Sequence, residues 1–296
     1  MRSLLKNPQY AQELRTNGVV KVPFLSTDEV AELRTFEAAV HPGGVLPRVY
    51  DNIYMTTWCS DTAYKLAIKE KIAHVFAAAG QRLFDDSRII NEVFIIKQPG
   101  EETTFPVHQD WSSVDETAYE AINIWVPLHP VDENNGAMWI LPKSHRIKTP
   151  VRGAYPIFPN YGKHLAAIQP GIKFYPLQAG EALLFYQSTI HGSPANRAAT
   201  ARIVAAAAVL PAEAPLRINF RSATTNEILV VNPADDFPFH YERLREESTR
   251  FPPPGPVVER LPLSAYREPD LAEILTLTGI RSSTTGKSGK AWWKIW

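Results

Sequence analysis

Two periodicities divide the chain about a third of the way along its length. In the first part, apolar residues recur at the three- and four-residue spacing of amphipathic helices. This spacing predicts helices over 7–15 and 62–83, with a strand over 18–23 that a proline closes. A further helix is predicted to begin after Ser26, because Ser26 and Glu29 stand at the spacing of a capping box.

The second part of the chain has short apolar runs separated by Pro, Gly and Asn. These runs predict strands over 90–99, 121–128, 136–142, 181–186, 202–211 and 216–220. The alanine run over 205–208 has helical propensity, but its position between a turn and Pro211 favours a strand. The pattern therefore indicates a mainly β fold, a sandwich or barrel, with flanking helices.

The chain contains no internal repeat and is predicted to form a single domain over 1–296. Its parts are expected to be N-terminal helices over 7–88, a β core over about 89–211 and a C-terminal extension over 212–296. The proline-rich segment 251–256 is interpreted as an extended strap on the surface.

Composition narrows the class of protein. The 296 residues carry 31 Lys+Arg and 31 Asp+Glu, so the basic surplus typical of a nucleic-acid binder is absent. The single cysteine, Cys59, excludes a disulfide framework and multi-cysteine metal sites. Without a signal peptide or a long apolar run, a cytoplasmic protein with no membrane span is expected. The aromatic tail 292–296 is interpreted as a packing strap or a homodimer contact.

Three side chains have the pattern of an iron site. In an extended segment residues i and i+2 point to the same side, so His108 and Asp110 can converge on one ion. His191, which follows a predicted strand, is well placed to complete a two-histidine, one-carboxylate face that binds Fe(II) and leaves positions open. Arg202 begins an apolar strand, where its charge is costly unless it meets an anion such as a carboxylate. Together these features are typical of an oxygenase that uses 2-oxoglutarate.

A set of short motifs in fixed order resembles one family. The motifs are His108-x-Asp110, Asn135-Gly136, Leu141-Pro-x-Ser-His145, His191-Gly-Ser193 and Arg202. This set, over about residues 10–211, resembles the phytanoyl-CoA dioxygenase (PhyH-like) family of Fe(II)/2-oxoglutarate-dependent oxygenases. The resemblance implies a double-stranded β-helix, the jelly roll also found in cupins, with helices packed on one face.

The resemblance also implies roles for individual residues. His108, Asp110 and His191 would be the iron ligands and the catalytic centre. Arg202, with Ser193 beside it, would bind the distal carboxylate of 2-oxoglutarate, and Trp125 would lie close to this cosubstrate.

Three further residues leave alternatives open. Asn123 shares a strand face with Trp125, so it is either a hydrogen-bond donor in the cavity or an edge residue. Lys97 either points inward toward a carboxylate of the cosubstrate or substrate, or lies in solvent at its strand end. Arg197 competes with Arg202 for the cosubstrate, but Arg202 is preferred because it heads a strand.

The implied reaction is the hydroxylation of an unactivated C–H bond with release of succinate and CO2. Fe(II), O2 and 2-oxoglutarate would be required, with ascorbate as a reductant. The substrate would be a small or medium-sized organic molecule, such as a natural product, an amino acid or a related acid. Two alternatives stay open: desaturation or cyclisation by the same chemistry, and a catalytically silent jelly-roll scaffold. Halogenation is not expected, because related halogenases lack the carboxylate that Asp110 supplies here.

Overall fold

A computed structural model describes residues 2–47, 53–153, 156–240 and 250–281. The α-helices within these ranges are α1 Pro8–Asn17, α2 Thr27–Val40, α3 Thr62–Leu83, α4 Leu165–Ile168, α5 Phe237–His240 and α6 Leu271–Thr278. The strands are β1 Val19–Pro23, β2 Tyr54–Met55, β3 Ser87–Lys97, β4 Phe105–His108, β5 Ile122–Pro127, β6 Trp139–Ile140, β7 Lys173–Phe174, β8 Glu181–Tyr186, β9 His191–Ser193, β10 Arg202–Pro211, β11 Ile218–Arg221, β12 Glu227–Val231 and β13 Val257–Pro262.

Two antiparallel sheets form the core. The larger sheet has the strand order β1-β8-β5-β10-β3-β2, and the smaller has the order β4-β9-β6-β7. Most neighbouring strands are not consecutive along the chain, the exceptions being β2 with β3 and β6 with β7, and this is the crossed connectivity of a jelly roll. The predicted double-stranded β-helix with flanking helices is therefore confirmed.

The helices cover one face of the larger sheet. Leu33 of α2 and Phe76 of α3 join Phe94 and Leu184 of the sheet in the largest apolar cluster. The capping box at the start of α2 is present, since the Ser26 hydroxyl accepts from the Glu29 backbone N–H at 3.2 Å and the Glu29 carboxylate accepts from the Ser26 N–H at 2.7 Å. Because the helices cover one face of the larger sheet, its opposite face is free to line a cavity.

The alanine run is a strand, as predicted. Residues 205–208 lie in the middle of β10, which pairs with β3 on one side and β5 on the other. Two neighbouring strands satisfy its backbone groups, and this outweighs the helical propensity of alanine. The small side chains of Ala206 and Ala208 leave room for the cavity beside this strand.

The C-terminal extension contains more structure than the sequence pattern predicted. The predicted strand 216–220 is observed as β11, and β12 and β13 complete a third sheet that the pattern did not identify. Phe220 and Val231 of this sheet pack with Ile90 and Ala208 of the core. The predicted strand 136–142 is shorter than expected, and only β6 forms a ladder there. The tail 292–296 lies outside the described residues.

Every helix in the described part of the chain is too short or too polar to span a bilayer.

Candidate metal centre

Pairing between two strands of the smaller sheet brings the predicted ligands together. β4 ends at His108 and β9 begins at His191, and the two histidines are partners in register. Asp110 follows two residues beyond β4, and its carboxylate lies 3.5 Å from His108 Nε2 and 3.6 Å from His191 Nε2. One ligand atom from each of the three residues lies within 4.8 Å of the others. This separation suits three donors around one ion.

Backbone carbonyls orient both imidazole rings. His108 Nδ1 lies 2.8 Å from the Pro106 carbonyl, and His191 Nδ1 lies 2.9 Å from the Thr189 carbonyl. Because a carbonyl only accepts, each Nδ1 carries the proton and each Nε2 keeps its lone pair. The lone pairs face Asp110, so hydrogen bonds to the backbone prepare both rings to bind a metal.

Charge at the centre also suits a divalent cation. Burial lowers the pKa of His191 to about 4, and the neighbouring His108 ring contributes to this lowering, so His191 is neutral near pH 7. Burial alone raises the pKa of Asp110, but the two imidazoles and the Asn123 amide together bring it below its usual range. An ionised carboxylate beside two neutral imidazoles is a donor set that fits ferrous iron.

Two residues not predicted from the sequence support Asp110. Arg152 is fully buried and its Nε donates to the Asp110 backbone carbonyl at 2.8 Å. Its two terminal nitrogens donate to both carboxylate oxygens of Glu116, at 2.7 and 2.6 Å. Asn123 Nδ2 donates to Asp110 Oδ2 at 2.6 Å, so the amide faces the cavity. Nothing in the local sequence distinguishes Arg152 or Glu116, because they act through contacts with distant segments.

Two cations lie buried next to each other beside this centre. Lys97 of β3 and Arg202 of β10 are partners in register, with exposures of 0% and 2%. Neither forms an ion pair with a described residue, and Arg202 Nε is buried without a hydrogen-bond partner. Burial lowers the pKa of both groups, and Arg202 lowers that of Lys97 further. Two buried cations without a carboxylate are an arrangement that a bound anion would stabilise.

Protein groups fix the orientation of both cations. Arg202 Nη1 donates to the Gly136 carbonyl at 2.8 Å, and its guanidinium carbon lies 5.2 Å from the centre of the Trp125 ring. Lys97 Nζ donates to the Ser193 hydroxyl at 2.7 Å and to the carbonyl of residue 194 at 2.6 Å. Because the Ser193 oxygen accepts from Lys97, its own proton remains available to an anion.

The positions of Lys97 and Arg197 in the structure decide between the alternatives that the sequence left open for them. Lys97 points inward and is not in solvent. Arg197 lies at the surface, where its guanidinium donates to both carboxylate oxygens of Glu101 at 2.6 and 2.7 Å. An exposed and already paired cation is a poor anion receptor, so Arg202 is the stronger candidate.

One cavity of about 320 Å³ joins these groups. It is lined by all three candidate ligands and by Asn123, Trp125, Ser193 and Arg202, while Lys97 lies behind Ser193. Apart from Lys97, the site residues proposed from the sequence therefore surround one space, and the wall beyond them is mainly apolar.

Comparison with known proteins places this arrangement in a family. The phytanoyl-CoA dioxygenase (PhyH) family matches residues 14–204. A zebrafish (Danio rerio) protein, phytanoyl-CoA dioxygenase domain-containing protein 1, is 27% identical over 124 residues, which make up 39% of this chain and 42% of the relative. The match thus spans less than half the length of this relative.

Solved structures share the fold. SnoK, a non-haem α-ketoglutarate-dependent carbocyclase from nogalamycin biosynthesis, has a TM-score of 0.52 at 18% identity, covering 72% of this chain and 87% of its own. The epimerase SnoN in complex with Fe3+, α-ketoglutarate and nogalamycin RO has a TM-score of 0.51 at 22% identity, covering 70% and 84%. AviO1 from Streptomyces viridochromogenes has a TM-score of 0.50 at 17% identity, covering 72% and 99%.

The structural similarities occur at low identity and therefore support the fold alone. The family match covers well over half of the chain, from the first helix to the start of β10, and includes all three candidate ligands and Arg202. The resemblance seen in the sequence motifs is confirmed. The chain belongs to the phytanoyl-CoA dioxygenase family, and this membership supports an oxygenase that depends on iron and 2-oxoglutarate.

Proposed function

We propose that this protein hydroxylates an unactivated C–H bond of a small or medium-sized organic molecule. In this proposal His108, Asp110 and His191 bind Fe(II), and 2-oxoglutarate is converted to succinate and CO2 as the substrate is oxidised. The observation that carries the proposal is the cavity in which three converging metal ligands and an anion receptor occur together. A silent scaffold has no use for buried, unpaired cations, which are costly to retain.

The residues around the cavity have distinct tasks in this proposal. The guanidinium of Arg202 and the hydroxyl of Ser193 bind the distal carboxylate of 2-oxoglutarate, and Lys97 fixes that hydroxyl by donating to its oxygen. Trp125 holds the guanidinium from one side. Asn123 holds one oxygen of Asp110 and leaves the other available to the metal. When bound, iron supplies the oxidising chemistry with O2, and ascorbate serves to keep it ferrous.

The first prediction concerns Asp110. We expect Asp110→Ala to abolish iron-dependent release of succinate from 2-oxoglutarate, because two neutral imidazoles alone bind a divalent cation weakly. Succinate is measured with Fe(II), ascorbate and a broad panel of candidate substrates. Asp28→Ala, which removes an exposed carboxylate on α2, is the matched control and should retain the activity of the parent protein.

Product mass identifies the outcome of the reaction. A gain of one oxygen atom supports hydroxylation, whereas a loss of two hydrogens indicates desaturation or cyclisation by the same centre. Undiminished turnover in Asp110→Ala would remove this residue from the centre. Complete absence of succinate from the iron-loaded parent protein, across the whole panel, would favour the scaffold.

A further inference from the structure

We infer that the substrate is an uncharged, largely hydrocarbon molecule carrying a hydroxyl or carbonyl oxygen, and that Asn91 binds this oxygen. The inference rests on the proposed function, since it takes the cavity beside the metal centre as the substrate site. It narrows the substrate class by excluding ionised amino acids and CoA thioesters. Two independent features of the structure carry it.

The first feature is a β-bulge in β3 that holds Asn91 in a left-handed conformation at the cavity wall. Ala206 of β10 pairs with Val93 and Ala208 pairs with Ile90, so two residues of β3 stand opposite the single Ala207. Asn91, the first of these two, has a left-handed φ of 57°. Ile90, Asn91 and Val93 all line the cavity, which the strict alternation of a regular strand does not allow.

The Asn91 amide has no partner within the described part of the chain. Its side chain makes no hydrogen bond there, although it is half-buried against the cavity. Asparagine is one of the few residue types that adopts the left-handed conformation readily, so the bulge and the amide suit each other. An unpaired amide in a mainly apolar wall is a group placed to bind a polar atom of a ligand.

The second feature is the absence of further charge along the described lining of the cavity. Apart from the candidate ligands and Arg202, every residue there is uncharged. The wall away from the metal centre includes Met55, Trp58, Val93, Trp111, Ile218 and Phe237. A charged substrate would lose its hydration on entry and find no opposite charge among the described lining residues beyond the metal centre and Arg202, whereas a hydrocarbon frame gains from burial.

Binding of three probes with one hydrocarbon frame tests this inference. The probes are menthol, which is neutral, menthylamine, which is a cation near pH 7, and p-menthane-3-carboxylate, which is an anion. The full chain is loaded with Ni²⁺ in place of iron and with 2-oxoglutarate, and dissociation constants are measured by calorimetry. We expect menthol to bind at least about tenfold more tightly than either charged probe. Equal or tighter binding of a charged probe, or no binding of menthol, would overturn the inference.

Two variants test the part played by Asn91. Asn91→Asp keeps the shape and tolerates the left-handed backbone, but replaces the amide donor by a carboxylate. We expect it to strengthen menthylamine binding about tenfold or more, whereas menthol binding should change by less than about threefold, because the menthol hydroxyl can donate to the carboxylate. Asn91→Gly removes the amide without backbone strain and should weaken menthol binding about three- to tenfold.

Asp86→Gly is the matched control. Asp86 is also left-handed, with a φ of 36°, but it lies at the surface just before β3. This variant should change menthol binding by less than about twofold. If Asn91→Asp does not strengthen menthylamine binding relative to menthol binding, Asn91 does not contact the substrate.

Binding of the metal and of 2-oxoglutarate separates this inference from the proposed function. Both are titrated into the parent protein and into each Asn91 variant before any menthol compound is added. If Ni²⁺ and 2-oxoglutarate bind but the expected order of probes fails, the substrate class alone is wrong. If the parent protein binds neither of them, the proposed function itself fails. Retained binding of both in the variants also demonstrates that they have folded.

Discussion

The buried pair of Lys97 and Arg202 is the most unusual feature at the scale of single residues. Two adjacent cations repel each other and lose hydration, so they destabilise the protein until an anion joins them. Arg202 has a free Nε and a fixed orientation, whereas Lys97 is occupied by Ser193 and a backbone carbonyl. We therefore expect the two cations to contribute unequally to cosubstrate binding.

Replacing each cation by methionine checks this expectation. Arg202→Met should weaken 2-oxoglutarate binding by about 10- to 100-fold, since it removes charge-assisted hydrogen bonds to the ligand. Lys97→Met, which acts through Ser193, should have a smaller effect. Calorimetry of the Ni²⁺-loaded protein measures both constants, and Ni²⁺ binding itself should change by no more than about threefold in either variant.

A second measurement distinguishes loss of a ligand contact from damage to the fold. Without 2-oxoglutarate, Arg202→Met should raise the melting temperature, because an unpaired buried charge has been replaced by an apolar side chain of similar volume. If Arg202→Met lowers the melting temperature and weakens Ni²⁺ and 2-oxoglutarate binding equally, its proposed role is wrong.

At the scale of elements, the connection between α1 and β1 packs against the segment that supports the site. Gly18 ends α1 with a φ of 80°, and its N–H donates to the Leu14 carbonyl. A Cβ at Gly18 would collide with His145 Nδ1 and lie 2.9 Å from Thr189 Oγ1. Thr189 in turn accepts from His191 through its carbonyl, so this turn lies directly behind a candidate ligand.

Alanine substitution at two helix ends separates backbone strain from this close contact. Gly18→Ala should lower the free energy of unfolding by about 3 kcal/mol, from left-handed strain plus overpacking. Gly279→Ala is the matched control, because Gly279 ends α6 with a φ of 75° but a Cβ added there would meet no other atom within 4 Å. It should cost only about 1 kcal/mol. Urea unfolding measures both, and equal losses would contradict the packing explanation.

At the scale of the whole molecule, several histidines are held neutral by their surroundings. Burial lowers the pKa of His145 to about 4, and His145 Nδ1 is buried without a hydrogen-bond partner. Burial also lowers the pKa of His129, whose Nε2 accepts from the Ile203 N–H and therefore cannot take a proton without breaking that bond. Together with His191, these rings make the fold sensitive to acid.

The metal-free protein should lose stability as the pH falls from about 6.5 toward 4. In this range the unfolded chain binds protons at these histidines while the folded chain does not, so acid favours unfolding. The stability that these neutral histidines contribute is fully present above a pH of about 6.5. His145→Gln should reduce the loss between about pH 7 and pH 5 by about 1–2 kcal/mol, since one such group is removed. Urea unfolding at several pH values measures this, and identical slopes for variant and parent would contradict it.

Much of the fold and of the site followed from local sequence. Alternation along an extended strand was enough to place His108 and Asp110 on one side, and spacing alone predicted the capping box at Ser26 and Glu29. The apolar runs between turn residues predicted the core strands, because a half-buried strand and its turns leave a strong local pattern. A guanidinium at the head of an apolar strand was sufficient to expect an anion there.

Tertiary structure alone decided the features that depend on pairing between distant segments. The register between β4 and β9 brings His191 to His108, and the contact of Arg152 with the Asp110 carbonyl crosses 42 residues. The bulge at Asn91 exists only because β3 pairs with β10 in one register. Such contacts leave no local pattern in the sequence, because the residues next to each partner are compatible with many other tertiary arrangements. The sequence by itself therefore determined which functional groups are present and which local elements carry them. Long-range packing decided where in the fold these groups meet.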